Sequence, residues 1–294
     1  MLYPSFALLG SLLTLICGAF TSPISEQIPM ANTTLSDGAI PIWEYYYNVN
    51  STQHQINFNK WSGTGYRMIS LSAYGQPPNH RYAAVWVQRA GPAYFAIHEA
   101  TGSQYQTFFD THAPDGFVST IITATGQGND AKFAGVMEKN GVTNWYQRCG
   151  LTHDQYVTEL NKGFGTGYIL KSFTEYGTSA DRRFCGVWYH NDKLEKYAVF
   201  VDESYDQSQL TFNNQVSVPG RRLGYLCISE DHLVSSEYVN TNVGSWFARL
   251  TRSTIDAEVK VQLAAGRYLI QLQGGGTGAN INFGALFSEH DIPT

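Results

Sequence analysis

Charge is scarce in this sequence. Only 15% of its 294 residues are Asp, Glu, Lys or Arg, and the net charge is −5. That balance argues against nucleic acid or an anionic membrane as the main partner. Cysteine is scarce as well. Beyond Cys17, in an apolar leader, there are Cys149, Cys185 and Cys227, which can close at most one internal disulfide. The chain is therefore not a disulfide-stapled scaffold and depends on a hydrophobic core. The eight histidines are scattered, without HExxH or His-x-His spacing, so no metal and no cofactor is expected. The apolar run from Phe6 to Cys17 is too short to cross a bilayer, and no later segment spans one. Residues 1–19 read instead as a secretory signal peptide, with Cys17-Gly18-Ala19 as a small-residue cleavage site, although no Lys or Arg precedes the run. A secreted, extracellular chain is expected.

What the sequence does have is aromatic and turn-rich. With 19 Tyr, 16 Phe and 28 Gly and a hydrophobic content of 43%, it leans towards β structure with many turns. Residues 20–39 form a Pro-, Ser- and Thr-rich lead-in that ends in Asp37-Gly38, and residues 40–294 form one repeat domain. The sequons at Asn32 and Asn50 suit a secreted glycoprotein.

The domain is organised by a capping pattern, Ser/Thr-x-x-Gln/Asp, at Thr52–Gln55, Thr101–Gln104, Thr152–Gln155, Ser204–Gln207 and Ser253–Asp256. Successive copies lie 49, 51, 52 and 49 residues apart, and a period near fifty marks an array of one supersecondary unit. After each helix come strand-like runs, among them Arg81–Gln88, Lys132–Glu138 and Arg183–His190. An apolar column runs through Leu71, Ile122, Phe173, Leu226 and Leu272. The loop that follows carries Gly75, Gly126, Gly177 and Gly276, then Asn79, Asp130, Asp181 and Asn280 four places on. Gly supplies positive φ, and Asn or Asp predicts an Asx turn. The fourth unit lacks these marks. The next strand opens with two small residues between large ones, as in Tyr82-Ala83-Ala84-Val85-Trp86, which predicts close packing there. The expected fold is α+β and β-rich: five units of three antiparallel strands plus one helix. One strand precedes the first helix and two follow the last, so the termini are predicted to share a sheet and close a propeller-like ring.

The unit Gly-aromatic–strand–Gly-x3-Asx-x2-aromatic-small-small-Val-Trp resembles the bacterial tandem repeat domain family. The segments Ser245-Trp246-Phe247-Ala248-Arg249 and Gln273-Gly274-Gly275-Gly276-Thr277-Gly278 are similar to the N-terminal repeat domain of fungal polyglycine hydrolases. The resemblance implies a module that precedes, in those secreted serine-type peptidases, a β-lactamase-like domain cutting Gly-Gly bonds in linkers of plant defence chitinases. The resemblance covers the repeat domain alone, and that catalytic domain would be expected to begin where this sequence stops. The sequence has no Ser-x-x-Lys, in which an amine takes the serine proton, and no Lys-Thr-Gly.

These residues point to a non-catalytic recognition module for an extracellular protein linker or glycan. The alternative is a truncated or divergent serine-type hydrolase. Tyr74 and Tyr176, just before Gly75 and Gly177, are the candidates for exposed aromatics that stack on a ligand, with turn packing as the competing reading. His80 in the first loop is a candidate ligand or base, against a solvated loop histidine. Glu230, Asp231 and His232 read as a polar turn rather than a metal site. Cys185, where sister units have Ala or Gly, reads as a small packed residue rather than a nucleophile.

Overall fold

A computed structural model describes residues 40–251 and 254–292; the leader, the lead-in, Asn32 and Ser253 lie outside them. The first unit runs β1 (Trp43–Val49), α1 (Ser51–Ser62), β2 (Tyr66–Tyr74) and β3 (Arg81–Gln88). The second is β4 (Tyr94–Ala100), α2 (Gly102–His112), β5 (Val118–Thr125) and β6 (Lys132–Glu138). The third is β7 (Trp145–Leu151), α3 (His153–Thr166), β8 (Tyr168–Tyr176) and β9 (Arg183–His190). The fourth is β10 (Tyr197–Glu203), α4 (Tyr205–Val216), β11 (Arg222–Ile228) and β12 (Val234–Val239). The fifth is β13 (Trp246–Thr251), α5 (Asp256–Ala264), β14 (Tyr268–Thr277) and β15 (Asn280–Ser288).

Each unit is one three-stranded antiparallel sheet, in the order β1-β3-β2 and its equivalents. The strand before the helix and the strand after it both pair antiparallel with the central strand, so they run parallel to each other. Parallel strands need a long return connection, and the helix supplies it. The repeating unit is therefore strand–helix–hairpin, not helix followed by three strands. This corrects the predicted shared sheet: β1 completes the first sheet and β13 the fifth.

The helix caps fall at Asn50, Thr101, Thr152, Ser204 and Ile255, spaced 51, 51, 52 and 51 residues apart. Thr101 and Thr152 form full capping boxes with Gln104 and Gln155, and Ser204 accepts from the Gln207 amide. Two of the expected caps move. Asn50, not Thr52, caps α1, its Oδ1 accepting from the Gln53 amide at 2.9 Å. The last helix begins at Asp256, with no side-chain cap bond.

The ring is closed without a shared sheet. The inner strands β2, β5, β8, β11 and β14 each pack on the next, and β14 packs on β2. Each inner strand is the edge of its own sheet, so its outward amides lack ladder partners. Side chains of the following blade supply acceptors. The Ala73 amide donates to Thr123 Oγ1 (2.9 Å), Ile122 to Ser172 Oγ (3.1 Å) and Leu226 to Gln271 Oε1 (3.2 Å). Across the closing joint Leu272 donates to Ser70 Oγ (3.1 Å) and Gly274 to Ser72 Oγ (3.0 Å).

The central strands alternate between two buried faces. Tyr82, Ala84 and Trp86 pack with Phe58 and Trp61 of α1 and with Ile121 and Ala134 of the second blade. Ala83 and Val85 pack towards Val259, Leu272 and Phe283 of the fifth. Both faces being covered explains why these strands read as continuous apolar runs. The predicted apolar column from Leu71 to Leu272 is buried throughout. The small pairs mark close approaches: a Cβ on Gly135 would press on the Ile121 carbonyl and the Tyr105 hydroxyl, and one on Gly284 on Leu226 of the neighbouring blade. Cys185 is disulfide-bonded to Cys149 across the sheet, and Cys227 is free and buried.

Candidate recognition surface

The hairpin loops of all five blades gather at one end of the ring axis. Gly75, Gly126, Gly177 and Gly276 hold φ values of 82°, 81°, 79° and 92°. A Cβ at Gly177 or Gly276 would also overlap the carbonyl oxygen of Asp181 or Asn280, so glycine is required twice over. The turns themselves are closed by backbone: Asn79 N–H donates to Gln76 O, Asp130 N–H to Gln127 O and Asp181 N–H to Thr178 O, at 2.9, 3.1 and 3.0 Å. The expected Asx side-chain bonds are not what shapes these loops; Asp181 Oδ1 accepts from Arg183 Nε instead.

The departure of the fourth unit has a structural role. Its short loop places Glu230, 7% exposed, where the other loops meet. One carboxylate oxygen accepts from the Gly126 amide and Thr125 Oγ1, and the other from Gln76 Nε2. Burial pushes this carboxyl up, and the bonds from Gly126, Thr125 and Gly177 hold it partly back. Gly276 N–H donates to Ser229 O at 3.0 Å, Thr178 Oγ1 to Gln127 Oε1 at 3.0 Å, and the Ser179 amide to Asp231 at 2.9 Å. Glu230 was legible only as a member of a polar turn; its place at the hub of four loops follows from the ring.

Between blades, charged pairs act as clasps. In each of the first four blades the outer strand bulges two residues before the helix cap. There Asn48, Glu99 and Asp202 adopt left-handed backbone at φ 59°, 58° and 58°, and Gly150 at 72°. Where the loop of one blade carries His80, the next bulge carries Glu99, their side chains 2.5 Å apart. Where it carries Arg182, the next carries Asp202, 2.9 Å apart. Where it carries Ala131, the next bulge is Gly150. Arg182 also pairs with Glu175 (3.1 Å) and Asp231 (2.6 Å). Burial, and then the adjacent Asp202, push Glu175 well above the usual carboxylate range, against the pull of Ser235 and Arg182. Burial also pushes Glu99 up, but the bonds from His80 and Tyr82 more than offset it, and its carboxyl sits below the usual range.

These contacts reassign the three residues expected to meet a ligand. Tyr74 is 2% exposed, fills the joint between blades one and five against Gly274 and Phe283, and accepts from the Asn48 amide. Tyr176, 4% exposed, packs on Phe133 of the second blade. His80, 5% exposed, is held by Glu99. All three are joint residues: the two tyrosines beside loop glycines point into the wedge between blades, and His80 reaches Glu99 of the second blade.

The opposite end of the axis is open. Where the inner strands begin, a funnel of about 280 Å³ draws its lining from all five blades, including Ser70, Thr120, Lys171, Tyr225 and Gln271. Its rim is ionic: Arg89 pairs with Asp291 at 2.5 Å, Arg67 with Glu138 at 2.6 Å, and Lys171 with Glu195 at 3.4 Å. Among the described residues no group of three or more His, Cys, Asp or Glu is arranged to hold a metal ion, and no helix is long and apolar enough to cross a membrane. At the joints Ser70, Ser72, Ser172 and Ser235 bond to backbone amides or to a carboxylate, whereas the buried Ser119 and Ser236 hydroxyls have no hydrogen-bond partner among the described residues.

A family model described as polyglycine hydrolase-like, structural repeat, matches residues 41–89, 91–140, 142–191 and 245–290, more than half of the chain. Each matched stretch coincides with one blade as the structure draws it: the first, second, third and fifth.

Proposed function

Because the chain belongs to the polyglycine hydrolase-like structural repeat family, we propose that it is a secreted, non-catalytic recognition module that takes a Gly-rich peptide linker into its axial funnel. The observation that carries this reading is the funnel itself, to which every blade contributes a wall. A glycine-rich segment is thin and presents unshielded backbone N–H and C=O groups, which need polar partners once they leave water. Thr120 and Gln271 Nε2, which has no hydrogen-bond partner among the described residues, on the walls and Lys171 near the mouth offer such partners. The loops at the far end, tied together through Glu230, keep the ring rigid, so little ordering is required on binding.

The competing reading, a divergent serine-type hydrolase, needs a serine with a base in reach. The use of the joint serines as acceptors for edge-strand amides argues against it.

The test is calorimetric titration of a Gly-rich linker peptide with mass-spectrometric inspection of the peptide afterwards. Saturable binding of an intact peptide is expected. Thr120→Trp, which narrows the mouth, and Lys171→Glu should each weaken it by about tenfold or more, roughly 1.4 kcal/mol. Binding of a glycan but not of the peptide would overturn the choice of ligand. Cleavage abolished by changing a single serine would overturn the non-catalytic reading.

A further inference from the structure

In the first three blades the wedge between helix and sheet is filled by a stacked pair of rings. The helix supplies the residue four places after its cap: His54, Tyr105 and Tyr156. The central strand supplies Tyr82, Phe133 and Phe184. The ring centroids lie 4.5, 5.7 and 4.8 Å apart, with interplanar angles of 18°, 28° and 11°. In the fifth blade Val259 and Phe283 fill the same place. The fourth blade has Ser208 on the helix and Val234 on the strand, so both rings are missing. A cavity of about 90 Å³ takes their place, lined by Ser208 and Val234 themselves and walled by Phe212, Leu226 and Leu250. It lies beside Tyr205, which is 42% exposed. An enclosed apolar cavity of about 150 Å³ is known to accept benzene; this one is smaller but open on one side.

One wall is polar, in register with the hydroxyl of a sister blade. Ser236 occupies the strand position of Gly135, and a Cβ on Gly135 would come within 3.0 Å of the Tyr105 hydroxyl. Ser236 is 2% exposed and lines the cavity, and among the described residues its Oγ meets only the Tyr238 phenol, in a contact too loose for a hydrogen bond of ordinary geometry. A ring that entered as Tyr105 does would bring its hydroxyl to Ser236 Oγ.

We propose that the gap between the fourth and fifth blades is a binding site for a single phenolic ring, whether a free small phenol or a tyrosyl side chain. The sister blades show the ring size and orientation that this wedge accepts, and the buried serine hydroxyl sets the preference for a phenol over a plain arene. The site is separate from the axial funnel and stands or falls independently of it.

The experiment titrates the chain with p-cresol, toluene and N-acetyl-tyrosinamide, followed by ligand-observed NMR and calorimetry. Saturable p-cresol binding is expected, about five- to tenfold tighter than toluene, the difference that one hydrogen bond supplies. Binding of N-acetyl-tyrosinamide as well as p-cresol identifies a tyrosyl side chain as the occupant; binding of p-cresol alone identifies a free phenol. Ser208→Tyr restores the missing ring, so it should melt higher than wild type and lose p-cresol binding. Val234→Phe fills the gap from the strand side and serves if the first variant does not fold. Ser236→Ala should erase the preference for p-cresol over toluene. Absence of saturable binding to wild type, or equal binding to wild type and a folded filled variant, would overturn the proposal.

Discussion

Glu237 provides the sharpest energetic prediction. It stands on β12 where the sister blades carry Val85, Val136, Val187 and Leu286, so a carboxyl occupies an apolar column. The side chain is buried and Oε1 has no partner. Burial, only partly offset by Lys171 and Arg222, pushes its pKa up to about 8. Being raised, this acid contributes stability that is fully present below its unfolded value near 4.5 and is lost as pH rises through about 8. A rise of that size corresponds to roughly 4–5 kcal/mol across the window, at about 1.4 kcal/mol per pH unit. In a domain of this size that is a fall in Tm of order 10 °C. Glu237→Gln keeps the shape and removes the titration. Urea denaturation of both proteins from pH 4.5 to 9 should give curves that diverge steadily above pH 5, with wild type losing ground, and run parallel again above pH 8.5. Glu237→Val should follow the pH profile of the Gln variant. Parallel curves for wild type and Glu237→Gln across the whole range would refute the reasoning.

Arg182→Ala strands Glu175 beside Asp202 and Asp231, and should cost about 3–5 kcal/mol of unfolding free energy, of which Arg182→Ala combined with Glu175→Gln recovers a part. Ser172→Ala removes the acceptor of the buried Ile122 amide and should cost about 1–3 kcal/mol. Asp130→Ala, whose side chain closes no turn, should stay within about 0.5 kcal/mol in the same melts. Replacing Cys149 and Cys185 together by Ala opens a cross-link over 36 residues and should cost about 3–4 kcal/mol in denaturant titrations.

The repeat period and the central strands were legible because their signals are local. Arg81–Gln88, Lys132–Glu138 and Arg183–His190 are bounded by turn residues and buried on both faces, and the structure has them with those limits. Sheet membership was not, because nothing in the sequence near Trp43 says whether its strand pairs with Val87 or with the far end of the chain. Whether Tyr74 and Tyr176 are exposed or packed was left open for a related reason: a tyrosine before a loop glycine looks the same whether a neighbouring blade covers it or not. The joint hydroxyls left a signal that could have been used. Ser70 and Ser72, Thr123 and Thr125, and Ser172 and Thr174 alternate along strands that are otherwise buried, and a buried hydroxyl needs a reason. The funnel had no such signal, because it is made by residues from all five blades, whereas the gap beside Ser208 left one in the repeat register, where Ser208 and Val234 stand in place of rings.

Closure of the ring is the claim on which the funnel, the rigid loop end and the joints all depend, and amide hydrogen exchange reads it directly. The Leu272 and Gly274 amides donate to Ser70 and Ser72 across the closing joint, as the Ile122 and Ala124 amides donate to Ser172 and Thr174 at an internal one. A closed ring predicts protection of all four within about one order of magnitude of each other. Exchange of Leu272 and Gly274 several orders of magnitude faster than Ile122 and Ala124, under conditions where the fold is intact, would mean that the array is open.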